Sequence, residues 1–147
     1  LNWKIKKFKE LSGEEMYEIL KRRNEIFVVE QKCIYQDCDN KDKSAYHLFL
    51  DKNGKIIAYL RILEKGVSYN EISIGRVLVD KDYRGKGLAR QMLLKVIDFI
   101  KNNLDETIIR ISAQEYLTRF YKSLGFEEVS DVYLEDNIPH IEMLYKE

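Results

Sequence analysis

An α/β fold built on one sheet is predicted for this chain from three observations. An Asn53-Gly54 pair joins two β-rich runs, which makes the first half antiparallel. An apolar run at residues 72–79 feeds a basic, glycine-containing turn that opens a long amphipathic helix. From there strand-like and helix-like runs alternate, as a sheet with a crossover helix requires. A length of 147 residues with 45% apolar and 12% aromatic content fits one domain, residues 1–147, with one core.

Residues 4–9 set Ile5 and Phe8 among lysines and read as an edge strand with a solvated face. Ser12 with Glu15 makes a capping-box pattern and Leu11 with Met16 a hydrophobic staple, so a helix starts at about residue 13. Met16, Ile19, Leu20 and Phe27 continue its apolar stripe. From Val28 the chain is expected to pass into a polar, aromatic loop holding Cys33 and Cys38, a composition suited to binding. Residues 45–50 and 55–63 pair as a hairpin, and residues 72–79 form a third strand. A helix follows from Gly87 to about Asn102, with Leu88, Met92, Val96 and Phe99 on its buried face. Residues 107–113 form the next strand, parallel to 72–79 because a helix links the two. A helix from Glu115 to Leu124 stops at Gly125, and two last strands flank Glu135-Asp136-Asn137.

Composition excludes several classes of function. Lysine plus arginine equals aspartate plus glutamate at 25 each, so no overall field recruits nucleic acid. No apolar run approaches the roughly 20 residues that cross a bilayer, and no signal-peptide core is present, so no membrane partner and a cytoplasmic location are expected. Cys33, Cys38, His47 and His140 lack metal-ligand spacing, so no metal is expected and both thiols should be reduced.

The turn at 84–90 carries the chemistry. First-turn N–H groups of a helix have no intrahelical partner and carry the positive end of its dipole, so a phosphate is stabilised there. Gly85 and Gly87 let it approach the backbone, and Arg84, Lys86 and Arg90 add charge. The spacing fits neither the Walker loop nor the dinucleotide fingerprint. On its own the turn is equally consistent with a simple strand-to-helix connection.

Arg84-x-x-Gly87-x-Ala89 resembles the Arg/Gln-x-x-Gly-x-Gly/Ala pyrophosphate loop of the GNAT acetyltransferase superfamily. The run from Ala113-Gln114-Glu115-Tyr116 through Phe120-Tyr121 to Gly125-Phe126 resembles that superfamily's second signature. Residues 27–37, Ile74-Gly75-Arg76-Val77 and Glu135-Asp136-Asn137-Ile138-Pro139-His140 narrow the likeness to the ElaA-like subfamily, over essentially the whole chain. Asn40 and Asn137 stand where that pattern would have glycine; asparagine tolerates the left-handed conformation better than most residues.

The resemblance implies a mixed, mostly antiparallel sheet whose strands splay apart, with the pantetheine arm of acetyl-CoA in the gap. It implies N-acetyl transfer by direct attack of an amine, borne by a small molecule or a peptide. The 84–90 set with Leu88 and Ala89, and Val77, Leu78 and Val79 along the strand, would hold the coenzyme. Backbone N–H groups near Leu78 and Val79 would stabilise the oxyanion. Tyr121 would be the general acid, although the residues alone read it as a core tyrosine beside Phe120. His140, Glu30 and Glu135 are alternative bases, and His140 after Pro139 is equally a structural histidine. Glu30, Gln31, Arg76, Glu135 and His140 are expected to meet in one acceptor pocket. There Arg76 anchors an acidic part of the acceptor or pairs with a carboxylate, and Gln114 orients the substrate or bonds the pantetheine amides. A homodimer is left open, as is an acyl-CoA sensor without turnover.

Overall fold

The computed structural model describes residues 2–147. Strand β1 (Trp3–Lys7) is the outer edge of the sheet and pairs antiparallel with β2 (Tyr46–Lys52). β2 and β3 (Lys55–Leu63) form the expected hairpin. Its turn residues Asn53 and Gly54 are both left-handed, at φ 54° and 81°, matching the twist of the strands they join. Between β1 and β2 lies α1 (Gly13–Arg23), started by the capping box: Glu15 N–H donates to Ser12 Oγ at 3.0 Å, and Ser12 N–H to Glu15 Oε1 at 2.9 Å. The chain does not leave the helix at Val28. It winds on as a π-helical segment, Asn24–Glu30, the wide form often found at functional sites.

β4 (Ile72–Val79) is the centre of the molecule. Its register against β3 steps from Tyr59–Leu78 to Arg61–Gly75, so β4 carries one extra residue. That bulge contains Arg76 at φ 54°, a conformation that costs a non-glycine residue on the order of 1 kcal/mol. On the other side β4 runs parallel to β5 (Ile108–Gln114), as expected, but only through Ile72–Ile109 and Ser73–Arg110. Beyond Ser73 the strands splay and leave a gap.

The crossover is α2 (Leu88–Leu104), whose Leu88, Met92, Leu93, Val96 and Ile100 are buried against one sheet face with Ile109, Ile111 and Met143. Phe99, expected on that face, is only partly buried. α1 and the π segment cover the other face of the N-terminal half, where Ile19 and Ile26 meet Phe49, Tyr59 and Leu78.

The expected helix at 115–124 is broken into a 3-10 turn, Glu115–Leu117, and a short α3 (Thr118–Lys122). A strand absent from the sequence reading follows, β6 (Phe126–Glu128). β7 (Tyr133–Glu135) turns through Asp136 and Asn137 into the long β8 (Ile138–Lys146), which lies between β5 and β6. Asn40 and Asn137 both take up the left-handed conformation, at φ 69° and 66°. Among the described residues no helix is long and apolar enough to cross a membrane.

Candidate active site

A cavity of about 1120 Å³ fills the gap between β4 and β5 and runs from the start of α2 to the β7–β8 turn. At its first end, Gly85 and Gly87 have φ of 77° and 80°, and a Cβ on either would meet no atom within 4 Å. The backbone therefore faces open space. Gly87 is the N-cap of α2 and no side chain caps it, so main-chain donors of the first turn stay available to an anion. Arg84, Leu88, Ala89 and Arg90 line the same end. Arg84 Nε donates to the Val79 carbonyl at 2.9 Å, its terminal nitrogens reach Glu30 at 2.9 and 3.3 Å, and Arg90 donates to Ser123 Oγ at 3.1 Å. Lys86 is not on the cavity wall; its ammonium sits 5.4 Å above the Tyr83 ring. The glycines, free donors and two guanidinium groups fit the phosphates of coenzyme A.

Along the middle runs the bare edge of β4, with Val77, Leu78 and Val79 on the cavity wall. Asp80 N–H donates to the Ile57 carbonyl in β3, at 2.8 Å. Over the regular pairing of residues 78–80, N–H groups of alternate residues point to the same neighbour, so Leu78 N–H also faces β3 and that of Val79 faces the gap. Of the N–H groups expected near an oxyanion, that of Val79 turns to the gap and that of Leu78 to β3. Tyr121, on α3, is buried edge-on between Phe120 and Phe126, at ring separations of 5.2 and 5.6 Å, and borders the cavity. Burial pushes its hydroxyl well above the ordinary tyrosine range, so it is protonated at neutral pH.

A family model described as Acetyltransferase (GNAT) domain matches residues 8–147. The chain belongs to the GNAT acetyltransferase family. It is 40% identical over 147 residues to a UPF0039 protein of Synechocystis, covering 99% of this chain and 96% of that one. The crystal structure of Escherichia coli ElaA superposes with a TM-score of 0.92 at 36% identity, covering 99% of this chain and all of that one. An acyl-CoA N-acyltransferase from Pseudomonas aeruginosa superposes with a TM-score of 0.92 at 37% identity, with 99% of each chain covered. Family and fold together support acyl transfer as the role.

In this GNAT chain the far end of the cavity holds His140, in register with Gln114 of β5 and Tyr133 of β7. A backbone carbonyl only accepts, so the 2.7 Å contact to Ile138 O fixes the proton on Nδ1. Its Nε2 faces the Glu135 carboxylate, 3.5 Å away. Residues from opposite ends of the chain meet here: Gln114 donates to Gln31 at 3.4 Å, and Cys33 Sγ donates to the Asp136 carbonyl at 3.3 Å. Glu30 shares the cavity with His140 but reaches the end at the start of α2, where it pairs with Arg84. Beside Glu135, Ser112 Oγ bonds the Tyr133 hydroxyl, and Tyr69 nearby is pushed up to about 12, first by burial and then by Tyr133, Glu142 and Glu135.

Arg76 pairs with neither Glu30 nor Glu135. Its Nε donates to Asp37 at 2.8 Å and a terminal nitrogen reaches Asp39 at 3.4 Å. Behind it lies an ionic network that the sequence reading did not assign. Fully buried Arg23 bonds Asp37 at 2.9 Å and Asp42 at 2.7 Å, and Arg61 bonds Asp39 at 2.6 Å and Asp42 at 3.1 Å. Burial pushes the Asp39 and Asp42 carboxyls up, but the guanidinium groups outweigh it and hold both below the ordinary aspartate range. His47 is buried against the same network: its Nε2–H donates to Asp42 O at 3.0 Å and its Nδ1 accepts from the Tyr59 hydroxyl at 2.7 Å. The only trace of this network in the sequence is three aspartates within residues 37–42.

Proposed function

We propose that this chain is an N-acetyltransferase that moves the acetyl group of acetyl-CoA to the amine of a small molecule or peptide by direct attack. One observation carries the reading: a single cavity joins an uncapped helix start at one end to a buried histidine whose Nε2 faces Glu135 at the other. Acetyl-CoA, when bound, supplies an acyl carbon activated as a thioester. The 84–90 turn holds phosphates by main-chain donors, with Arg84 and Arg90 adding charge. Val79 N–H, on the gap edge of β4, donates to the acyl oxygen as negative charge builds there, a contribution of about 3 to 4 kcal/mol. His140 Nε2 takes a proton from the attacking amine, with the Glu135 carboxylate beside it. Once the C–N bond has formed, Tyr121 gives its proton to the sulfur as the C–S bond breaks, and solvent carries the proton from His140 back to the Tyr121 oxygen.

A thiol-release assay with acetyl-CoA over polyamines, aminoglycosides, amino acids and peptides tests this. Thiol release matched one-to-one by acetylated amine is expected. Tight coenzyme A binding with no turnover on any amine would favour a sensor on the same fold. Absence of coenzyme A binding would remove both readings.

A further inference from the structure

We infer that Asp37 and Arg76 form a clamp that holds the β4 bulge, and with it the N–H group of Val79, in the position acyl transfer requires. The inference rests on the transferase reading above and assigns Arg76 a positioning role in place of acceptor binding. Past Ser73 no strand supports β4 from the β5 side, so the sheet does not fix this segment there. The bulge residue is left-handed and not glycine, so its backbone conformation needs support from elsewhere.

The support is visible. Arg76 Nε and a terminal nitrogen donate to the Asp37 side chain and carbonyl at 2.8 and 3.0 Å, and the guanidinium lies 5.4 Å over the Tyr35 ring. Asp37 is itself fixed. Buried Arg23 of α1 reaches its carboxylate at 2.9 Å and its carbonyl at 3.1 Å, and the Tyr35 hydroxyl donates to it at 2.6 Å. The bulge is thus tied through two arginines to the most buried part of α1. The connection from Gln31 onward also touches the opposite lip of the gap, through Gln31–Gln114 and Cys33–Asp136. One loop therefore spans both lips and sets their separation.

Comparison of Arg76→Ala with Arg76→Gly separates a clamp from an acceptor contact. Glycine takes the left-handed conformation without a side-chain penalty, so it should restore the bulge without the ion pair. Arg76→Ala is expected to lower kcat about tenfold or more, as misplacement of catalytic groups does, with coenzyme A affinity within about threefold of wild type. Arg76→Gly should regain most of that loss. Asp37→Asn, which keeps shape and removes charge, should resemble Arg76→Ala. Amide exchange at residues 77–79 is the second readout: faster by about tenfold in Arg76→Ala and near wild type in Arg76→Gly. If Arg76→Gly is as impaired as Arg76→Ala and both raise the acceptor KM, Arg76 contacts the acceptor and the clamp is wrong. The clamp is also wrong if exchange is unchanged in all three variants. Should the wild-type protein acetylate no amine, the transferase reading fails, and the exchange comparison still decides the clamp.

Discussion

Burial disfavours the phenolate of Tyr121, which keeps the hydroxyl in the protonated form a donor needs and also makes it a weaker acid. Tyr121→Phe keeps the ring contacts to Phe120 and Phe126 and deletes the donor. Turnover should fall about a hundredfold, with acetyl-CoA affinity nearly unchanged, in a chemistry-limited assay; wild-type turnover would make the residue structural. His140→Gln should lower kcat and remove one ionisation from the pH–rate profile, since an amide cannot take up the proton of the amine. His47 gives a stability prediction instead. Burial lowers its folded pKa, so as pH falls through about 6.5 the unfolded chain takes up a proton before the folded one. Stability contributed by neutral His47 is therefore complete above about pH 6.5 and declines below it. The melting temperature should drop between pH 7.5 and 5.5, and His47→Gln should flatten that slope. At this scale the sequence hid most of the ionic network. Arg22 and Arg23 both look like last-turn cations that suit the helix dipole, and nothing local distinguishes the fully buried one. Its partners Asp37 and Asp42 lie 14 and 19 residues away, beyond any helical spacing.

Elements whose ends carry local chemistry were legible. The capping box placed the start of α1, and Ser12→Ala should cost about 1 kcal/mol in denaturant unfolding with no change in coenzyme A affinity. The Asn-Gly turn placed the β2–β3 hairpin to within two residues at each end. The π segment was not legible, because the apolar Phe27-Val28-Val29 run continues a helix as plausibly as it ends one. β6 spans three residues, too few for alternation to register, and its pairing with β8 is set by tertiary contacts. The start of α2 joins fold to binding most directly. Gly87→Ala places a Cβ in open space at φ 80°, so it should destabilise by about 1 kcal/mol. Its larger effect should be on the ligand: the methyl group points into the room an anion needs, and calorimetry should record coenzyme A affinity at least tenfold weaker. Unchanged affinity would mean that the phosphates bind elsewhere.

For the molecule as a whole, family likeness supplied the splay of β4 and β5 but not the place of β8. The insertion of β8 between β5 and β6 brings together strands far apart in the chain, and no local signal encodes such a register. The parallel neighbours β4 and β5 could be inferred from the crossover helix, but not how soon they separate. If coenzyme A binds only the folded state, a concentration of 100 times its Kd should add about 2.7 kcal/mol of stability. That corresponds to roughly 5 to 10 °C in melting temperature for a chain of this size, measurable by calorimetry; no shift at saturation would contradict the binding site. The two-rung seam at Ile72–Ile109 and Ser73–Arg110 has a mechanical consequence as well. The two parts of the sheet meet only along that short seam, so any widening of the wedge between them is expected to pivot there and to strain the loop that spans its lips. Domain-scale hinge motions of this kind run on microseconds to milliseconds, a range that relaxation dispersion reads directly. A bound ligand lying in the wedge would act as a damper, quieting the exchange on both parts at once.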